Sequence, residues 1–478
     1  NGLNLFDRKT GKCTRFIDKK NPGNEDSNII NAISADEHSN IWVGTYKGLS
    51  LINQADKTFS YYQIEADKNS AGGVNPVYKI IATAGNRFWL GTNTTLQYFD
   101  ANKRQLIPLN GHTNGENLMP DDGIYSLLED RDGILWIGTS SEGVTKYDAN
   151  LTIFPSFQAA VNHNPSAKNI VRALAEDKYG GLYIFTDAGM LYSNETKGTR
   201  LVYKHNPKIK NSLLSNYTSC GMVSRKTGKV WIGTYSNGLD CFDPQTGHFI
   251  HYLKGSGEDS LSSNSIYALL EDSAGNIYIA TDAGGLNVLN PKTNKFTRYL
   301  NKPADPNSIA DNTIQALYED KHGNIWIGGY SNGVSIFNPA NKKFTGLNSS
   351  NSGLSNNVVS AFLEDKNGMW VGTMEGGLNL YNAKTRKFTS FTERNGLINN
   401  TINYLASDSK GFIWLSTLRG ITRYNPLTKE YKNFGTQNGL KCLEFNLGAG
   451  AKLADGNVAL GGINGYTIVD PTSLSFND

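Results

Sequence analysis

One pattern recurs along the chain at spacings of 44 to 48 residues, and it constrains the fold more than any single motif does. Residues 264–272 (NSIYALLED), 275–281 (GNIYIAT), 284–291 (GGLNVLNP) and 295–299 (KFTRY) are matched in order by 312–320 (NTIQALYED), 323–329 (GNIWIGG), 333–339 (GVSIFNP) and 342–345 (KKFT). All seven tryptophans, Trp42, Trp89, Trp136, Trp231, Trp326, Trp370 and Trp414, occupy one position of this template, and Tyr183, Tyr278 and Val458 fill it in the remaining copies. Residues 1–17 match only the second half of the template, as a copy without its head.

Each copy reads as four short apolar runs separated by Gly, Asn, Asp and Pro, with no helical periodicity beyond two turns. Composition agrees: 50 Gly, 24 Tyr, 20 Phe and 7 Trp stand against 5 Met, a bias toward turns and strand formers. The expected fold class is therefore all-β, a β-propeller of four-stranded antiparallel blades in which each tryptophan fills the gap to the next blade. Counting heads back from the C-terminus places a complete seven-bladed propeller at residues 158–470. Residues 1–157 form about three and a half blades of another, and 471–478 begin a link to a following domain. Leu151–Lys168, with two prolines and no acidic turn, marks the break. Three and a half blades cannot close a ring, so the sequence is expected to be a piece of a longer protein.

Several function classes recede on composition. A net charge of +3 offers no field for nucleic acid. No run of 18 apolar residues spans a membrane, and the N-terminus carries no leader pattern. Cys13, Cys220, Cys241 and Cys442 stand far apart, which fits buried thiols better than a zinc site or a disulfide framework. The Glu-Asp pairs (Glu129-Asp130, Glu176-Asp177, Glu271-Asp272, Glu319-Asp320, Glu364-Asp365) sit at one template position, so they build the repeat and are expected to bond the turn that follows. No nucleophile elbow and no paired histidines appear; no catalytic residue, metal or cofactor is expected.

A binding site is sought where side-chain chemistry varies inside a constant apolar frame. Five residues before the head aspartate the second ring reads Arg172, Ser219, Tyr267, Gln315, Ser360 and Asn403, and the first reads Asn31, Tyr78 and Tyr125. These lie on the innermost strand and are expected to converge on the channel mouth, either as its wet lining or as ligand contacts. The loop between second and third strands opens at the same rim and carries Tyr235, Asn237, Tyr330, Asn332 and Arg419. Tyrosine faces and amide groups are the mixture expected of a saccharide pocket, and Arg172 and Arg419 would hold an anionic ligand.

Residues 269–278 (LLEDSAGNIY), 325–329 (IWIGG), 360–365 (SAFLED), 395–402 (NGLINNTI) and 412–417 (FIWLST), with the tail 439–446 (GLKCLEFN), 461–466 (GGINGY) and Asp470-Pro471, resemble a known family. It comprises the periplasmic sensor regions of hybrid two-component system proteins of gut Bacteroidetes, built from two seven-bladed propellers of two-component regulator propeller repeats. The resemblance implies a non-catalytic sensor that binds an oligosaccharide, works as a homodimer, and belongs to an inner-membrane protein. In that family a β-sandwich, a membrane span, a histidine kinase, a receiver and DNA-binding modules follow, all beyond residue 478. Two other readings stay open: a propeller lyase or glycoside hydrolase, which would need an acid/base pair in one loop alone, and a protein-interaction scaffold, which would need a large apolar rim patch.

Overall fold

Each copy of the repeat folds into short antiparallel strands that pair in chain order, so every sheet but the last is a meander. The computed structural model describes residues 2–17, 25–56, 58–62, 64, 75–107, 122–131, 133–148, 154–159, 170–257 and 259–472. The chain divides into two compact units, Asn1–Leu151 and Thr152–Asp478. Among the described residues the single α-helical turn is Ser349–Ser352, and no helix is long and apolar enough to cross a membrane.

Seven four-stranded sheets build the second unit. Their first strands are Val171–Glu176, Thr218–Val223, Ile266–Glu271, Ile314–Glu319, Val359–Asp365, Ile402–Ser407 and Phe445–Lys452. Each packs against the next, and Val171–Glu176 packs against Phe445–Lys452, so the series closes into a ring. The last sheet takes its outer strand from the start of the unit: Ser156 pairs with Thr467 and Phe157 with Tyr466. This covers an edge that Gly465–Val469 would otherwise leave open. The unit consequently begins at Thr152, ahead of the expected break between 157 and 158. Residues 160–169 and 473–478, on which parts of the expected boundary and link fall, lie outside the described residues. The first unit holds a two-stranded sheet, Leu3–Phe6 with Cys13–Phe16, then four-stranded sheets opening with Ile30–Ala35 and Val77–Thr83. A three-stranded sheet, Ile124–Glu129, Ile134–Thr139 and Val144–Asp148, completes it.

The tryptophan wedges follow the expectation wherever a sheet follows. Trp42 is 1% exposed, with its ring centre 5.7 Å from Phe88 and 5.3 Å from Phe99 of the next sheet. Trp326 meets Tyr381 at 5.3 Å and Trp370 meets Tyr424 at 5.8 Å in the same way. Trp136 is the exception at 42% exposed. It lies in the last sheet of its unit, where Tyr125, Leu128 and Val144 are also exposed. Cys220, Cys241 and Cys442 are buried as expected, whereas Cys13 is exposed on the two-stranded sheet, beside exposed Leu5 and Phe6.

The Glu-Asp pairs divide their work, which corrects the expectation that both serve the following turn. The aspartate does so: Asp320 accepts the Asn324 N–H at 2.9 Å, and its other oxygen accepts the Trp326 indole N–H at 3.0 Å. Asp36, Asp130 and Asp408 hold Trp42, Trp136 and Trp414 likewise. Burial alone would raise the Asp320 pKa, but these bonds outweigh it and hold the carboxyl below its ordinary value. The glutamate instead reaches back to the preceding sheet. Glu271 accepts Arg225 N–H at 2.7 Å, Glu319 accepts Ser273 N–H at 3.0 Å and Glu364 accepts Lys321 N–H at 2.8 Å. Glu176 accepts Ala454 N–H at 2.6 Å across the ring closure.

A third tie anchors the segments entering four of the sheets. A buried polar residue on the third strand accepts a backbone N–H of the segment: Asn287 from Ser262, Ser335 from Ala310, Asn379 from Ser355, and Asp240 from Leu214 at 2.9 Å. Asp240 alone of these is a carboxylate, and His251 opposite it in register supplies the counter-charge. His251 Nδ1 lies 2.5 Å from Asp240 Oδ1 and Nε2 lies 3.0 Å from the Lys210 carbonyl. With Asp240 ionised, although burial raises its pKa, both ring nitrogens donate and the ring is an imidazolium. Burial works against that charge, but the Lys210 and Asp240 bonds prevail and raise the His251 pKa.

Two outcomes follow. In denaturant melts, Trp42→Ala should cost about 3–5 kcal/mol, and Trp136→Ala at the same template position about 1 kcal/mol or less. Because folded His251 keeps its proton to higher pH than unfolded His251, its contribution is complete below the unfolded pKa and is lost as pH rises through the folded value. The Tm gap between the protein and His251→Gln should therefore shrink between pH of about 6 and about 8.

Candidate ligand site at the channel mouth

The first strands of all six leading sheets of the second unit share one irregularity, and it aims their variable residues. Val171 pairs with Thr186 and Ala173 with Phe185, leaving Arg172 without a cross-strand partner. Ser219, Tyr267, Gln315, Ser360 and Asn403 occupy the same unpaired place in their strands, as do Asn31, Tyr78 and Tyr125 in the first unit. A bulge turns one side chain out of the alternating pattern, here toward the ring axis. The sequence cause lies in the preceding sheet. A Cβ on Gly372 would sit 2.8 Å from Ile402 Cγ2, and one on Gly461 would sit 2.6 Å from Val171 Cγ1. Glycine at the end of the second strand thus seats the β-branched residue just before the next bulge.

All six residues of the predicted row line one central cavity of about 340 Å³. The structure then separates them by what their side chains do. Ser219 Oγ donates to the Ile266 carbonyl at 2.5 Å, Ser360 Oγ to the Ile402 carbonyl at 2.5 Å, and Asn403 Nδ2 to the Phe445 carbonyl at 2.7 Å. Asn446 Nδ2 closes the series on the Val171 carbonyl at 2.8 Å. These four lash each sheet to the next. Asn446 was missed because the seventh copy has a longer irregularity, between Phe445 and Gly450, which displaces it from the row.

Arg172, Tyr267 and Gln315 are too long for that bond and turn elsewhere. Arg172 holds Asp187 with two bonds, Nε at 2.7 Å and a terminal nitrogen at 3.1 Å, and lies 5.4 Å from the Tyr217 ring centre. Burial and the nearby Asp282 charge push the Tyr267 hydroxyl up to about 12, so it keeps its proton. Gln315 Oε1 is buried with no hydrogen-bond partner.

Of the loop residues, Tyr235 and Tyr330 are each 53% exposed, and Asn237, Asn332 and Arg419 are exposed; none of the five lines the cavity wall. The two tyrosines stand at its rim. Tyr235 lies 5.3 Å from Tyr217 and 6.5 Å from Tyr267 by ring centres, so Tyr217, Tyr235 and Tyr267 form a continuous arc. The Tyr330 loop is fixed by Asp311, which accepts Ser331 N–H at 2.7 Å and Asn332 N–H at 3.2 Å. Tyr217, Asp187, Asp282 and Asp311 are the site residues that sequence reasoning missed. Among the described residues no group of three His, Cys, Asp or Glu is placed to hold a metal.

The two component regulator propeller family model matches residues 118–141, 260–283, 308–331, 353–375 and 396–419, the heads of five copies. Histidine kinase P4 of Formosa agariphila is 25% identical over 188 residues, 39% of this chain and 12% of that protein. A crystal structure described as the extracellular domain of a hybrid two component system, BT3049 of B. thetaiotaomicron, superimposes with a TM-score of 0.70 at 24% identity, covering 98% of this chain and 59% of that one. The corresponding domain of BT4673 gives a TM-score of 0.56 at 20% identity, covering 100% and 68%. The chain thus spans a small part of the kinase and about three-fifths of the first of these domains, and its likeness to both structures is one of fold. Five copies of the repeat therefore match the two component regulator propeller model.

Proposed function

We propose that this chain is the extracytoplasmic sensing part of a hybrid two-component system. In this proposal it binds an oligosaccharide at the channel mouth of unit Thr152–Asp478 and passes the event to a membrane-linked kinase without reacting with its ligand. Its setting would be the periplasmic side of an inner-membrane protein that works as a homodimer. The repeat family and the extracellular domains with which the chain shares its fold support the sensing role.

The observation that carries the ligand proposal is the arc of Tyr217, Tyr235 and Tyr267 over a polar cavity of about 340 Å³. Aromatic faces present flat apolar surface to the C–H faces of sugar rings, while nearby amides and carboxylates take the hydroxyls. A cavity of this size is in the range that encloses a small ligand. The Glu-Asp pairs, the main source of carboxylates for an acid/base reading, are committed to turns, indoles and neighbouring sheets, which weighs against the lyase or hydrolase alternative.

Calorimetry with a panel of plant and host oligosaccharides, followed by chromatography of each mixture, tests the proposal. The expected result is saturable heat with at least one glycan and its full recovery. Shortened products would assign an enzyme, and no heat with any glycan would leave the scaffold reading.

A further inference from the structure

Resting on the proposal that the mouth takes a saccharide, we infer that the ligand is an uncharged one, held by tyrosine faces and by carboxylate acceptors. The guanidinium best placed to receive an anion is already occupied. Arg172 makes two bonds to Asp187 and is covered on one side by Tyr217. A sulfate or carboxylate would have to displace Asp187 and then sit beside it.

The loops between second and third strands carry mainly charge of the same sign as such a ligand: Asp187, Asp282 and Glu375 against the exposed Arg419, with Asp311 holding the Tyr330 loop from the segment before it. The segments leading into the first strands carry both signs, Lys254, Lys302 and Lys441 among them, and Lys452 lines the cavity wall. Asp282 lies beside the Tyr267 hydroxyl, whose pKa its charge helps raise, and accepts from Thr313 Oγ1 at 3.1 Å. A carboxylate has room for further donors, and a neutral sugar hydroxyl is such a donor whereas a sulfate is not. Gln315, a cavity-wall residue whose Oε1 is buried without a partner, adds an amide that can accept a hydrogen bond from a hydroxyl once its side chain turns into the cavity. Exposed Tyr235 and Tyr330 flank this acidic stretch. The geometry therefore favours ring stacking on sheets two to four with hydroxyls turned toward Asp187, Asp282 and Gln315.

The test is calorimetry of the whole chain with two sets of hexasaccharides. The neutral set is cellohexaose, xylohexaose, mannohexaose and arabinohexaose; the anionic set is chondroitin sulfate, heparin and oligogalacturonate fragments. The expected result is binding within the neutral set and none within the anionic one. Tyr235→Ala and Tyr330→Ala, both at exposed positions, should each weaken binding about tenfold with unchanged melting. Asp187→Asn, which releases the Arg172 guanidinium, should admit an anionic fragment that the parent protein refuses. Anionic fragments binding the parent protein more tightly than neutral ones, with the binding lost in Arg172→Gln, would overturn the inference and leave the saccharide-sensing proposal standing. Heat from neither set would overturn both.

Discussion

The unpaired residue at the start of each innermost strand is the constraint on which both the ring and its channel depend. A β-branched residue, Ile402 for example, is seated against a glycine of the sheet before it, and the strand then takes one extra residue to keep its pairing. That residue faces the axis. When it is Ser or Asn it reaches the carbonyl just before the next bulge, so the irregularity of one sheet is stitched to that of its neighbour. When it is Arg, Tyr or Gln the stitch is not made and the side chain is left to the channel. Sheets two, five, six and seven hold the ring in this way, while sheets one, three and four furnish the mouth.

Loss of three stitches is affordable because the ring is tied at other levels. Glu176, Glu271, Glu319 and Glu364, at the far ends of four first strands, bond the sheet before them, and in several sheets a buried polar group on the third strand holds the incoming segment. Each such bond contributes about 1 kcal/mol net. The indole wedges add apolar burial between sheets, and at Trp42, Trp136, Trp326 and Trp414 one aspartate fixes the turn and the indole together. Exposure of Trp136 shows what one wedge lacks when no sheet follows it in its unit. The chemistry at the mouth thus rests on a frame that does not depend on it.

Much of this frame is legible in the sequence. The tryptophan period gives the sheets, and the position five residues before the head aspartate gives the cavity wall, with Arg172, Ser219, Tyr267, Gln315, Ser360 and Asn403 all lining it. Division of that row into stitching and free residues is not legible, because it depends on side-chain length measured against a carbonyl in the next sheet. The role of Glu271 toward Arg225 was hidden for a similar reason: the partner lies 46 residues away, about one period, where a local motif search does not look. Asp187 was overlooked because its loop lacks the tyrosine that marks the Tyr235 and Tyr330 loops, although it decides what Arg172 can bind. Closure by Ser156–Phe157 falls in the stretch where the template breaks down, and two residues are too few to show a strand pattern.

In the proposed function, recognition belongs to one end of one channel, opened where sheets one, three and four give up their stitches. A crystal structure of the chain with a bound oligosaccharide tests that claim most directly. The predicted density lies over Tyr235 and Tyr330, with hydroxyls within hydrogen-bond distance of Asp187, Asp282 or Gln315. Density at the opposite opening near Tyr318 and Lys452, or on the unit Asn1–Leu151, would contradict it.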